Sequence, residues 1–235
     1  MTIASEQDRH TAEGEAAEYA RAGSLVVRDF IEPEAAEEVA GFVEGMPQDW
    51  WYASTFPGHD EVRTDIRGLP DNRERIEEHY AIAQRRRSEG RFAYAFFRTL
   101  RHRTGCGCPL CAVIERLQGP ETLARIAALT GSPITESGGL FASEYRPTSF
   151  LDPHTDRDNG RVAMVWSLSR GWQPQNGGLL HLLDPDQRTV RRVVVPEFNS
   201  AVLFAIPVEA GTPHFVSYVP PGTPGRRLSI SGWFA

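Results

Sequence analysis

The chain contains no lysine: all 25 of its basic side chains are arginine. Schiff-base chemistry and lysine nucleophiles are therefore excluded, and the arginine bias itself reads as the codon usage of a GC-rich genome. An excess of positive charge is missing as well. The formal net charge is −6, whereas affinity for a phosphate backbone needs clustered positive charge, so no nucleic-acid partner is expected. No stretch approaches the roughly 18 consecutive apolar residues of a membrane span. The opening MTIASEQDRHTAEGEAAEYARAG also lacks the basic start and apolar core of a secretory signal. The expectation is a cytoplasmic protein with no membrane partner. Cysteine is scarce, with three residues confined to one loop.

What is present suits a globular domain. A chain of 235 residues, 40% hydrophobic, is long enough to bury one large core. Residues 1–22 carry only small apolar side chains without a broad stripe and read as a flexible N-terminal arm. Residues 23–235 read as one domain, with helical support over 23–134 and a strand-rich core over 135–235. Helices are expected from about Pro33 to Gly45, from a cap at Asp71 to about Ser88, from Pro109 to Gln118 and from Pro120 to Leu129. Trp50-Trp51-Tyr52 reads as a short strand or packed edge, and FAYAFF (Phe92 to Phe97) as a strand with one face packed. Further strands are expected near Leu140–Tyr145, Val162–Leu168, Leu179–Leu183, Val190–Val195, Ala201–Phe204, His214–Tyr218 and Arg227–Trp233, separated by Gly, Pro, Asn or Asp. Helices first and closely spaced strands afterwards predict an α+β fold in which N-terminal helices support a double-sheet jelly roll.

The chemistry concentrates on His154-Thr155-Asp156 and His214. Residues two apart on a strand point to the same side, so His154 and Asp156 can converge on one ion. His214 opens another strand 58 residues after Asp156 and can supply a third ligand. Two imidazoles and a carboxylate suit Fe(II) and leave about three octahedral positions open; the same set also suits a hydrolytic zinc site. The competing reading is a loop hydrogen bond for the first pair and strand packing for His214.

YRPTSFLDPHTD (Tyr145 to Asp156), the stretch from LSRGW to GGLLHLL, PEFNSAVLF and the ending RRLSISGWF resemble the Fe(II)/2-oxoglutarate-dependent oxygenases. Within them the resemblance is to the prolyl 4-hydroxylase-like branch, in particular the group that includes ribosomal prolyl hydroxylases. It is specific over residues 139–235 and weaker over 24–131. It implies a double-stranded β-helix with His154, Asp156 and His214 as catalytic iron ligands, and with 2-oxoglutarate and O2 as cosubstrates. A buried guanidinium can grip the remote carboxylate of 2-oxoglutarate through two parallel hydrogen bonds. Alternation puts Arg227, Ser229, Ser231 and Trp233 on one strand face and Arg226, Leu228 and Ile230 on the other. Arg226 and Arg227 are both candidates; the more polar face suits the site, and the resemblance implies a basic residue six before the strand's tryptophan, so Arg227 is the expected cosubstrate anchor. Tyr145 stands where related enzymes often place a tyrosine hydroxyl against 2-oxoglutarate. Related halogenases replace the carboxylate with a small residue, so Asp156 favours hydroxylation.

The expected reaction is hydroxylation of an unactivated aliphatic C–H. A free amino acid or small biosynthetic metabolite is preferred as substrate, because the chain is short; a prolyl or other side chain of a protein is the alternative. A jelly-roll sensor that only binds metal and 2-oxoglutarate is the non-enzymatic reading. Cys106, Cys108 and Cys111, in HRTGCGCPLC with His102 nearby, admit a zinc site, a redox pair or reduced thiols. Arg85-Arg86-Arg87 reads as a solvated helix C-terminus, Arg146, Arg157 and Arg161 as either anchors for a substrate carboxylate or salt-bridge partners at the rim, and Trp50 to Tyr52 as core packing in preference to a cleft lining.

Overall fold

The computed structural model describes residues 6–47, 50–55, 62–65, 73–99, 106–207 and 211–235. Five helices and twelve strands occupy them. Helices α1 (Glu6–Ala22), α2 (Pro33–Gly45), α3 (Arg73–Ser88), α4 (Pro109–Leu117) and α5 (Pro120–Thr130) lie in the first part of the chain. They are interrupted by β1 (Ser24–Val27), β2 (Trp51–Thr55), β3 (Val62–Asp65) and β4 (Tyr94–Thr99). Then follow β5 (Phe141–Tyr145), β6 (Phe150–His154), β7 (Val162–Ser167), β8 (Leu180–Leu183), β9 (Val190–Val194), β10 (Ala201–Ala205), β11 (His214–Val216) and β12 (Arg227–Phe234).

Proline sets the helix starts. Pro33, Pro109 and Pro120 stand in the first turns of α2, α4 and α5, where the missing N–H removes no intrahelical bond. Gly131, in the left-handed region at φ 64°, ends α5. Asp71, the expected cap of the third helix, lies outside the described residues. The stretch read as an arm contains α1, which packs on β1 and α5. Tyr19 is buried there, and Glu18 accepts an ion-paired hydrogen bond from Arg192 at 2.9 Å.

The strands form a curled antiparallel sheet in the order β1-β10-β7-β12-β5-β4-β6-β11-β8-β9, with β2 and β3 branching from β4. This is a jelly-roll-like half-barrel preceded by helices, as the pattern of elements predicts. Period-two alternation divides its faces. On β12, Leu228, Ile230 and Phe234 join the core shared with α1, α2, α4 and α5, where they meet Val39, Leu117, Ile126 and Trp166. The inner face holds a second apolar cluster, in which Phe96, Tyr145 and Phe204 from one wall meet Leu180, Leu182 and Val216 from the other. The sheet therefore has a dry outer face under the helices and an inner face free to carry chemistry. Patterning misses β1, β3 and β6; in β6 Pro153 interrupts Phe150-Leu151-Asp152-Pro153-His154, and a proline normally argues against a strand. Here β6 pairs with both β4 and β11.

Candidate metal centre and cosubstrate pocket

Antiparallel pairing of β6 with β11 sets His154 opposite His214, with ring centroids 4.2 Å apart. His154 is the last residue of β6, and Asp156 lies in the turn that follows, so strand alternation is not what aligns them. The turn swings Asp156 back between the imidazoles, Oδ1 at 3.6 Å from His154 Nε2 and Oδ2 at 3.4 Å from His214 Nε2. Gly211 helps to keep the turn in place. At φ 65° it lies so close to Thr155 that an added Cβ would sit 2.8 Å from the threonine Cβ.

The two imidazoles are oriented from behind. His154 Nδ1 lies 3.1 Å from the Asp152 carbonyl and His214 Nδ1 lies 2.9 Å from the Thr212 carbonyl. With Nδ1–H donated to these carbonyls, each Nε2 lone pair faces the carboxylate side, the tautomer a metal ligand requires. Burial, reinforced by the neighbouring His154, pulls His214 down to about 4 against the attraction of Asp156. At neutral pH His214 is therefore uncharged. The three residues offer ligand atoms within 4.8 Å of one another, which is the donor set and spacing of a mononuclear Fe(II) or zinc centre.

These residues open into a cavity of about 210 Å³. One wall is the aromatic row Phe92, Tyr94 and Phe96, which continues to Arg98. The neighbouring strands β5 and β12 continue the lining with Tyr145, Arg227, Ser231 and Trp233. The row follows from alternation in FAYAFFR, a signal legible in the sequence but read there only as packing. Phe96 stacks on Tyr145 at 5.0 Å and 5°, while Phe204 meets His214 edge-on at 4.7 Å.

Arg226 and Arg227 part company as alternation requires. Arg226 turns away and, with Arg146, grips the fully buried Glu144, Nε to Oε1 at 2.6 Å from each arginine. Arg146 is thus a salt-bridge partner. Although burial pushes the Glu144 carboxyl up, the two guanidinium groups outweigh it and hold the acid below its ordinary range. Arg227 lines the cavity, only 2% exposed, and its guanidinium stands 4.7 Å from the Tyr145 ring. Its Nε has no hydrogen-bond partner, and no carboxylate pairs with it among the described residues. Burial lowers the Arg227 pKa, with Tyr145 opposing, and burial likewise pushes the Tyr145 hydroxyl up to about 12. A buried cation without a counter-ion is costly. This one is what an anionic cosubstrate would complete.

Other sequence expectations resolve around the site. Arg87 is not simply solvated: it bonds Asp152 at 3.0 Å and lies 4.7 Å over the Phe150 ring, tying α3 to β6. Trp51 is buried in the core. His102 lies outside the described residues.

The curled sheet and its His-Asp-His cluster define a jelly-roll metal centre. Residues 140–235 match the model of the 2OG-Fe(II) oxygenase superfamily, and the chain carries a domain of that superfamily, with its Fe(II)- and 2-oxoglutarate-dependent oxidation chemistry. No curated protein matches it significantly in sequence. Among solved structures it is similar to a prolyl hydroxylase from Trichoplax adhaerens in complex with a hypoxia inducible factor oxygen degradation domain peptide fragment. That match has TM-score 0.65 and 17% identity and covers 99% of this chain and 94% of the other. A Pseudomonas putida prolyl-4-hydroxylase matches with TM-score 0.58 and 18% identity over 95% and 97% of the two chains. The epimerase SnoN from nogalamycin biosynthesis matches with TM-score 0.55 and 16% identity over 96% and 82%. The preference for a small-molecule substrate over a protein one is overturned here. Chain length was its ground, yet this chain covers almost the whole of a hydroxylase that is in complex with a peptide.

Proposed function

We propose that the protein hydroxylates an aliphatic side-chain carbon of a protein or peptide, a prolyl residue in the first place. The observation that carries the cosubstrate reading is Arg227, a buried guanidinium without a carboxylate partner in the cavity that also holds His154, Asp156 and His214. The whole-chain likeness to a peptide-bound prolyl hydroxylase supports the substrate class.

In this reading His154, Asp156 and His214 hold Fe(II), and Arg227 holds 2-oxoglutarate by its remote carboxylate. When bound, the iron with its cosubstrate supplies oxygen activation coupled to decarboxylation of 2-oxoglutarate to succinate. The protein supplies orientation and exclusion of water. The Asp152 and Thr212 carbonyls fix the imidazole tautomers, and the neutrality of His214 keeps its Nε2 available as a donor atom. Tyr145, with its raised pKa, retains its proton and serves as a hydrogen-bond donor toward the cosubstrate. Phe96 and Phe204 close the inner cavity. Phe92, 38% exposed, stands beside Tyr94 and His154 and marks the side from which a peptide would approach.

The test is a peptide-library incubation with Fe(II), ascorbate and 2-oxoglutarate, read by mass spectrometry for gain of one oxygen matched by succinate. Hydroxylated prolyl peptides are the expected result. Succinate formed with no peptide modified, while a free amino acid gains oxygen, would overturn the substrate class and leave the oxidation chemistry standing.

A further inference from the structure

A second group of metal-ligating side chains lies at the start of α4, contributed by none of the residues that line the oxygenase cavity. The sulfurs of Cys106, Cys108 and Cys111 all lie within 4.8 Å of one another, and none of the three forms a disulfide. The backbone explains why they converge. Gly107 takes φ 69°, a left-handed conformation that glycine adopts without steric cost, and the turn through it brings Cys106 Sγ to 3.2 Å from Cys108 Sγ. Cys108 is the N-cap of α4, ahead of Pro109. The first helical turn then brings Cys111 beside it.

Backbone donors are aimed at the sulfurs. Cys108 N–H donates to Cys106 Sγ at 3.5 Å, and Cys111 N–H donates to Cys108 Sγ at 3.4 Å. These donors hold the Cys106 and Cys108 sulfurs in place; burial and the neighbouring sulfurs push the Cys111 thiol up, and metal binding displaces its proton. Sulfurs around a tetrahedral ion with bonds of about 2.3 Å stand about 3.8 Å apart, and the observed cluster brackets that separation. The exposure is graded to match: Cys106 is exposed, Cys108 intermediate and Cys111 buried, so an ion can enter from solvent and still be anchored to the core.

We propose that Cys106, Cys108 and Cys111 form a site for a thiophilic d10 cation, zinc(II) in the first instance, separate from the oxygenase centre. Binding replaces three S–H bonds by three sulfur–metal bonds and releases three protons to the buffer, with solvent or one further donor completing the tetrahedron. The ion pins the first turn of α4, whose Leu110, Val113 and Leu117 are buried in the core beneath the sheet. Its role is therefore structural, at the junction where the chain passes from β4 into the supporting helices.

Cobalt(II) is a direct probe, because thiolate-to-cobalt charge-transfer bands arise only from sulfur ligation and the His-Asp-His cluster contains no sulfur. The full-length protein, reduced and kept anaerobic, is titrated with cobalt(II) and then with zinc(II). The expected result is a near-ultraviolet charge-transfer band that saturates stoichiometrically, bleaches on addition of zinc, and is lost in Cys106→Ser. Cys106 is exposed, so that variant leaves the packing intact and should retain 2-oxoglutarate turnover. The buried Cys111→Ser is the second variant, with circular dichroism as a check on its folding. Absence of the band in the folded wild-type chain, or a band unchanged in Cys106→Ser, would overturn the site. Unimpeded alkylation of all three thiols in the presence of zinc would do the same.

Discussion

Replacing Arg227 by methionine should separate stability from cosubstrate binding. The side chain is 2% exposed, its Nε lacks a partner, and its guanidinium rests on the Tyr145 ring. Methionine fills a similar volume without charge. Removing a desolvated charge that has no counter-ion should leave the ligand-free protein as stable or raise its unfolding free energy by about 1–3 kcal/mol. The same change deletes a two-pronged, charge-assisted contact to the remote carboxylate of 2-oxoglutarate. Such a contact contributes about 3 kcal/mol, so 2-oxoglutarate should bind roughly a hundredfold more weakly. Urea unfolding of the ligand-free chain gives the first quantity. Calorimetric titration of 2-oxoglutarate into protein loaded with a non-turnover divalent ion gives the second. A structural arginine would behave oppositely. Several kcal/mol of lost stability with unchanged 2-oxoglutarate affinity would exclude Arg227 as the cosubstrate anchor.

Three further outcomes follow from the geometry. Asp156→Ala removes the carboxylate lying between the two imidazoles and should abolish iron retention and nearly all succinate formation, as read by metal analysis and turnover; wild-type activity in this variant would exclude Asp156 as a ligand. Gly178→Ala places a Cβ 2.9 Å from Arg227 Cδ, at a glycine with φ 63°, and should raise the KM for 2-oxoglutarate by displacing the anchor, more than it changes kcat. Glu144, held below its ordinary range by Arg146 and Arg226, binds a proton more readily in the unfolded chain. Its contribution to stability is therefore complete above pH of about 4.5 and declines as pH falls through the lower folded-state value. Glu144→Gln should cost about 2 kcal/mol at neutral pH, since the arginines are partly open to solvent, and should flatten the acid limb of the stability profile; parallel acid limbs in the two proteins would count against this.

Much of the fold was legible because its elements obey local rules. Proline marks three helix starts, and alternation on β12 separates Arg226 from Arg227, one bound to Glu144 and the other lining the cavity. What escaped depends on tertiary context. Pro153 hides β6, whose pairing with β4 and β11 outweighs the local penalty. The approach of Asp156 to the imidazoles comes from a turn packed against Gly211, not from strand period. The aromatic row on β4 was visible as a pattern, but only the curl of the sheet turns it toward His154. Arg87 was assigned to solvent because its partners, Asp152 and Phe150, lie more than 60 residues away in sequence. Substrate class was not written in any motif, and chain length was a poor guide to it.

In the proposed function His154, Asp156 and His214 hold iron within reach of a 2-oxoglutarate anchored by Arg227. Anaerobic addition of Fe(II) and then 2-oxoglutarate, followed by visible absorption, tests it most directly. The expected result is a charge-transfer band that requires both additions, is absent in Asp156→Ala, and in Arg227→Met appears only at much higher 2-oxoglutarate. A band unaffected by either substitution, or none in the folded wild-type protein, would contradict it.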